Sequence, residues 1–164
     1  MSTNQKTLED KLNFILSESA REAYEKIKAL ILRIFSLLKK QKGVKDLKEK
    51  FYDFYIDFAR KLDEEGHYEE SYSYMRICAM YYQLMDRPES LIAHESFFMD
   101  LFKAFDDLLY TKMSNPDVYD EKYIEFEDYS MKMQEYFYSN LAIPSPHFNK
   151  KTLDKITSYL SSDL

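Results

Sequence analysis

The sequence predicts an all-α protein, a single-domain helical bundle over residues 1–164 with five main helices plus a short C-terminal helix. Apolar residues recur at spacings of three and four, which is typical of helices that bury one face. Only two glycines occur in the 164 residues, so few positions supply the positive φ that tight β-hairpin turns need. Four prolines, all in the second half of the chain, separate long periodic segments.

The first predicted helix covers residues 7–40 and makes a long N-terminal unit of residues 1–42. Its apolar stripe stays in phase through Ser17–Ser19, so we expect one helix there, continuous or bent at the serines. Residues 27–38 are apolar on nearly every side, and such a segment must be covered either by its own domain or by another chain. Gly43 provides the stop signal.

Four more long helices are predicted within a bundle that spans residues 45–141. They cover residues 45–65, 68–85, 88–112 and 117–140. Gly66, Pro88 and Pro116 separate them, because glycine commonly follows a helix end and proline commonly begins a helix. The helix over 68–85 is expected to bury one stripe, formed by Tyr72, Met75, Cys78, Ala79 and Tyr82.

A C-terminal unit of residues 147–164 is predicted beyond the extended link that Pro144-Ser145-Pro146 imposes. It contains a short helix over residues 149–160, whose apolar residues are Leu153, Ile156 and Leu160. A helix of this length is marginal on its own. We therefore expect it to dock back on the domain, with an exposed docking peptide as the alternative.

The second and third helices carry a pattern of large and small residues that resembles one tetratricopeptide-repeat hairpin. The matching residues are Tyr55, Phe58, Ala59, Leu62, Gly66, Tyr68, Ser71, Met75 and Cys78. In this resemblance Ala59 takes the small position of the first helix and Ser71 the small crossing position of the second. The chain departs from the pattern at Gln83, where the family has its closing proline.

The stretch over residues 56–110 also resembles a microtubule-interacting-and-transport domain, a three-helix bundle. The resemblance lies in the turn formed by Asp63, Gly66, Tyr68, Glu69, Glu70 and Ser71. Members of that family bind short helical tails of membrane-remodelling filament proteins. Both resemblances imply peptide binding in a groove between helices, without catalysis.

No residue pattern in the sequence predicts catalysis, a cofactor or a metal site. The three histidines are His67, His94 and His147. Glu64 and His67 have the Glu-x-x-His spacing of di-iron bundles, but Gly66 lies between them and no second copy of the motif occurs. No glycine-rich phosphate loop is present. The single cysteine, Cys78, excludes an intramolecular disulfide and is typical of a reducing compartment. Because no signal peptide or transmembrane stretch is recognisable, we expect a cytoplasmic protein.

Charge is distributed unevenly along the chain, whose net charge is −6. Residues 1–50 contain twelve Lys or Arg and seven Asp or Glu, whereas residues 51–164 contain eleven and 22. A lysine cluster, the predicted anion-binding site, is formed by Lys39, Lys40, Lys42 and Lys45. It could contact phosphates, or it could only complement the negative end of a helix. Residues 100–128 contain nine acidic side chains and three lysines.

These features favour a non-enzymatic interaction or assembly module that binds a partner helix or a second copy of itself. The predicted partner-binding residues are Ile27, Ile31, Ile34, Phe35, Leu38, Tyr55, Tyr74 and Tyr81. The alternative is a nucleic-acid-linked protein, which would bind through the lysine cluster or imitate nucleic acid with its acidic region.

Overall fold

The computed structural model describes residues 16–140, and this part of the chain is helical with no strand. The all-α class and the five long helices are therefore confirmed. The six α-helices are α1 Glu18–Lys39, α2 Lys48–Glu64, α3 Tyr68–Leu84, α4 Pro88–Ala93, α5 Glu95–Ser114 and α6 Tyr119–Asn140. Short 3-10 turns over Lys45–Leu47 and Pro116–Val118 precede α2 and α6. The predicted C-terminal helix and its Pro-Ser-Pro link lie outside the described residues, as does the part of the first predicted helix that precedes residue 16.

Helix α1 begins at the serines, so the prediction of a helix that passes through them is wrong. Ser17 has an extended backbone, with φ −62° and ψ 164°, and its hydroxyl accepts a hydrogen bond from the Ala20 N–H. The Glu65 carboxylate then accepts from the Ser17 N–H at 2.9 Å and from its hydroxyl at 2.5 Å. A serine cap and a carboxylate at the positive helix end both stabilise this start.

Helices α2 and α3 form a hairpin around Gly66, whose φ of +86° explains why glycine ends α2. The helices cross closely where two small buried residues, Ala59 and Ser71, face each other. The Ser71 hydroxyl donates to the Ala59 carbonyl at 2.7 Å. This bond satisfies a buried hydroxyl and ties the two helices together at their crossing.

Helix α3 is the central helix of the described bundle, because it packs against α2, α4, α5 and α6. Its buried residues are Glu70, Ser71, Ser73, Tyr74, Met75, Arg76, Ile77, Cys78, Ala79, Met80, Tyr81 and Leu84. Tyr72 and Tyr82, predicted to belong to the buried stripe, are only half-buried. A single stripe was the wrong expectation, since helices cover α3 on several sides.

The predicted helix over residues 88–112 is broken at His94, where the backbone has φ −109° and ψ 21°. The imidazole Nδ1 lies 2.7 Å from the Ser90 carbonyl oxygen, and the ring packs on Phe137 of α6 with centroids 5.2 Å apart. The apolar stripe continues across this break, so periodicity alone does not reveal it. His94 therefore brings the end of α6 beside the start of α5.

Candidate interaction groove

The eight predicted partner-binding residues lie in the hydrophobic core, each with at most 9% of its surface exposed. Their assignment as a contact surface on the folded domain must be corrected, because the domain itself covers the apolar residues of α1. Tyr81, for example, packs edge-on against Phe35 and Phe98 and donates its hydroxyl to the Ile31 carbonyl at 3.1 Å. A partner could reach these side chains only if the bundle opened.

An open apolar groove of about 350 Å³, here called the α1–α5 groove, lies next to this core. It is lined by Lys28, Ile31 and Leu32 of α1 and by Met99, Asp100, Phe102, Lys103 and Asp106 of α5. Ile31 and Phe102 are buried, whereas Leu32 is 54% exposed. The groove thus has an apolar floor, one unusually exposed leucine and a rim of mixed charge.

A hydrogen bond joins α1 to α5 beside the α1–α5 groove. The Tyr24 hydroxyl donates to the Asp106 carboxylate, and the Lys28 ammonium lies 4.4 Å from the centre of the Tyr24 ring. Burial raises the pKa of Asp106, and the charge of Lys28 and the Tyr24 hydrogen bond oppose that rise. Holding the Asp106 carboxylate in this position therefore costs free energy of desolvation.

Replacing Asp106 with asparagine should stabilise the fold increasingly as pH rises. Because the folded pKa of Asp106 is raised, its contribution to stability is full below the unfolded pKa and is lost as pH rises through the folded pKa. Asparagine does not ionise, yet its carbonyl can still accept from Tyr24. We expect the difference in unfolding free energy, Asp106→Asn minus wild type, to grow as pH rises from below the unfolded pKa of aspartate through its raised folded pKa. Urea unfolding across that range tests this, and a difference independent of pH would contradict it.

A second groove of about 590 Å³, the α5–α6 groove, lies on the other side of α5. Its lining is formed by Asp100, Ala104, Asp107, Leu108, Tyr110, Thr111, Lys122, Glu125, Phe126 and Tyr129. Lys122 pairs with Glu125 at 3.9 Å. Asp100 and Asp107 have no ion pair among residues 16–140, so the groove presents uncompensated negative charge.

Some of the acidic residues expected on the surface instead join helices inside the bundle. Glu127 accepts from Ser73 at 2.6 Å and from Arg76 at 2.9 Å, which fastens α6 to α3. The Tyr123 hydroxyl lies 3.2 Å from Ser73, and burial raises the pKa of Tyr123 to about 12. Glu127, like Asp106, is therefore better explained as a structural group than as part of a nucleic-acid-like surface.

The lysine cluster runs from Lys39, the last residue of α1, to Lys45 in the 3-10 turn before α2, and all four of its side chains are exposed. Lys39 pairs with Glu95 at 2.8 Å. Lys40, Lys42 and Lys45 make no ion pair within the described part of the chain. Cations at this end complement the helix dipole, so their position has a structural explanation as well as a functional one.

Two further chemical features of the described residues bear on function. Cys78 is fully buried, and burial raises its pKa, so its thiol lacks the exposed thiolate character of a catalytic nucleophile. Within residues 16–140 no group of three or more His, Cys, Asp or Glu side chains could hold a metal ion. None of the helices described there is long and apolar enough to cross a membrane.

Comparison with known protein families, with curated proteins and with solved structures gave no match to this chain. Sequence reasoning named Ile31 but missed Leu32 and Lys103 as lining residues. The signal for Leu32 was present, because a leucine off the main stripe of α1 puts apolar surface on its outer side.

Proposed function

We propose that this chain is a non-enzymatic interaction module that holds an amphipathic helix of a protein partner in the α1–α5 groove. The observation that carries the proposal is the exposure of Leu32, at 54%, beside the apolar floor of an open groove between two helices. Apolar grooves of this kind bind partner helices through side chains spaced three, four and seven residues apart.

The charge of the groove rim supports a partner helix with a particular pattern. Asp106 is engaged by Tyr24 and lies near Lys28, whereas exposed Lys103 makes no ion pair within residues 16–140. An acidic residue on the partner helix could pair with Lys103 at the rim while the apolar residues cover Leu32. Such a rim charge would act mainly on association rate and orientation.

Two other lines of reasoning agree with this class of function. The hairpin of α2 and α3 resembles tetratricopeptide and microtubule-interacting-and-transport hairpins, and both families bind peptides between helices. A single buried cysteine is typical of a reducing compartment, so we place the protein in the cytoplasm. A second copy of the chain is the alternative occupant of the groove.

Binding should be tested by affinity purification from the native source with wild type and two groove variants, Leu32→Lys and Met99→Lys. Ile124→Lys is the matched control, because Ile124 is a 67% exposed apolar residue on α6, outside the lining of both grooves. A protein that co-purifies should then be reduced to a synthetic helix and titrated against the pure chain. We expect at least a tenfold loss of affinity for each groove variant and none for the control.

Three results would count against the proposed helix partner. Equal binding by the groove variants and the Ile124→Lys control would exclude the α1–α5 groove. A dimer in sedimentation that Leu32→Lys converts to a monomer would assign the groove to a second copy. Salt-sensitive binding of DNA or RNA, lost when Lys40, Lys42 and Lys45 are changed to glutamate, would favour the nucleic-acid alternative.

A further inference from the structure

The α5–α6 groove is a second open surface, which shares only Asp100 with the lining of the α1–α5 groove, and its occupant can be inferred from the chain itself. Asp100 and Asp107 lie two helical turns apart on α5 and make no ion pair within residues 16–140. Ala104 and Leu108 of α5 and Phe126 of α6 give the groove an apolar floor. The surface therefore suits a segment with one apolar stripe and basic flanks.

The residues after α6 have this composition. Leu153, Ile156 and Leu160 follow helical spacing and make one apolar stripe. Lys150 flanks that stripe and Lys151 and Lys155 lie on the opposite face, with Asp154 as the one acidic residue between positions 149 and 160. The segment over residues 149–160 thus has a net charge of +2, opposite in sign to the rim of the α5–α6 groove.

The described end of the chain lies within reach of the groove. The end of α6 is held beside the start of α5, since Phe137 packs on His94. The groove begins near Tyr129, and the eleven residues from there to position 140 span about 16 Å of helix. The eight linking residues 141–148, which include two prolines, can extend to about 26 Å. The link is therefore long enough for the chain to turn back along α6.

The length of the segment also agrees with the length of the groove. Along α5 the groove extends from Asp100 to Thr111, about 17 Å. A helix over residues 149–160 would be about 18 Å long. After turning back it would run antiparallel to α6, with its later residues near Thr111 and Lys122.

We infer that residues 149–160 dock as a helix in the α5–α6 groove of the same chain, with the leucine–isoleucine stripe on the floor and the net positive charge of the segment attracted by Asp100 and Asp107. This inference does not depend on the α1–α5 groove, so either proposal can fail without the other. It explains the excess negative charge of α5 and α6 as a surface that binds a basic segment of the same chain.

The docked position can be measured with a nitroxide attached to Ser158→Cys in the full chain. Ser158 lies off the apolar stripe, and the native thiol, Cys78, is fully buried and should remain unlabelled. We expect paramagnetic broadening of amide signals to be strongest at residues 108–111 and 122–126. Broadening that stays at residues 136–140, or that appears along the α1–α5 groove, would overturn the inference.

The role of charge is tested in the same labelled chain with two matched sets of reversals. Changing Lys150, Lys151 and Lys155 to glutamate should abolish the broadening in the groove, and adding Asp100→Lys and Asp107→Lys should restore it. The control, Lys40→Glu with Lys42→Glu and Lys45→Glu, changes the net charge equally and should leave the broadening intact.

A mixed sample decides between one chain and two. Spin-labelled protein without isotope is combined with isotope-labelled protein that carries no nitroxide. Docking within one chain predicts no broadening of the isotope-labelled signals. Broadening in this sample would show that the segment docks on a second copy, and it would overturn the inference as stated.

Discussion

Replacing Tyr81 with alanine should lower the free energy of unfolding by about 3–5 kcal/mol, the range for removing a buried aromatic ring. Tyr81 is 0% exposed, and its ring lies 4.8 Å from that of Phe51 and 5.3 Å from that of Phe98, centroid to centroid. These neighbours belong to α2 and α5, and Phe35 of α1 also contacts the ring, so the cavity would open where four helices meet. Urea unfolding of the variant and of wild type gives the difference directly.

Tyr81→Phe is the matched control for this variant. Phenylalanine keeps the ring and loses only the hydrogen bond to the Ile31 carbonyl, whose length is 3.1 Å. Its expected cost is about 0.5–1.5 kcal/mol, the net worth of one such bond. Leu32→Ala, on the exposed side of α1, should change stability by less than about 0.5 kcal/mol.

The same comparison decides between two roles for Tyr81. As a core residue it determines stability, and the alanine variant should be much less stable. If Tyr81 were instead a partner-binding residue, as the sequence suggested, its replacement by alanine would weaken binding and leave the unfolding free energy unchanged. An alanine variant as stable as wild type would contradict the packing described for α3.

The sequence predicted the helices well where the signal is local. Glycine at the end of α2 and proline at the start of α4 act through their own backbone preferences, so Gly66 and Pro88 could be read directly. The helix start at Ser17 and the helix break at His94 could not be read from the local sequence. Glu65 secures the first and Phe137 packs on the second, and both partners are more than forty residues away in the chain.

The candidate groove was predictable only in part, for a related physical reason. Periodicity indicates which face of a helix is apolar, but it does not give the distance between two helices. Ile31 and Leu32 differ little in hydrophobicity and both line the groove, yet Ile31 is buried and Leu32 is 54% exposed. What separates them is the placement of α5, which depends on contacts across the whole bundle.

The burial of polar groups in α3 could not be predicted from the spacing of apolar residues either. Glu70, Ser73 and Arg76 look like the solvent-facing residues of an amphipathic helix. All three are buried and bonded to side chains of α5 or α6. Their partners are 42 to 54 residues away in the chain, so each pair becomes apparent only after the helices have assembled.

Replacing Lys112 with methionine should destabilise the protein by about 2–4 kcal/mol, because it leaves the buried Glu70 carboxylate without its cation. The Glu70 side chain is 1% exposed, and the Lys112 ammonium lies 3.2 Å from each of its oxygens. Breaking a buried ion pair typically costs about 3–5 kcal/mol. Glu70 lies in the first turn of α3, where the positive helix end stabilises its carboxylate by about 1 kcal/mol and so reduces the expected loss.

A double-mutant cycle separates the ion pair from the packing of the lysine stem. In Glu70→Gln with Lys112→Met, no buried charge remains at this site, and the glutamine oxygen can still accept the hydrogen bond that Tyr119 donates to Glu70. We therefore expect the double variant to be more stable than Lys112→Met alone. If Lys112→Met alone stays within about 0.5 kcal/mol of wild type, then Tyr119 and the helix end suffice to hold the carboxylate, and the lysine is a surface group.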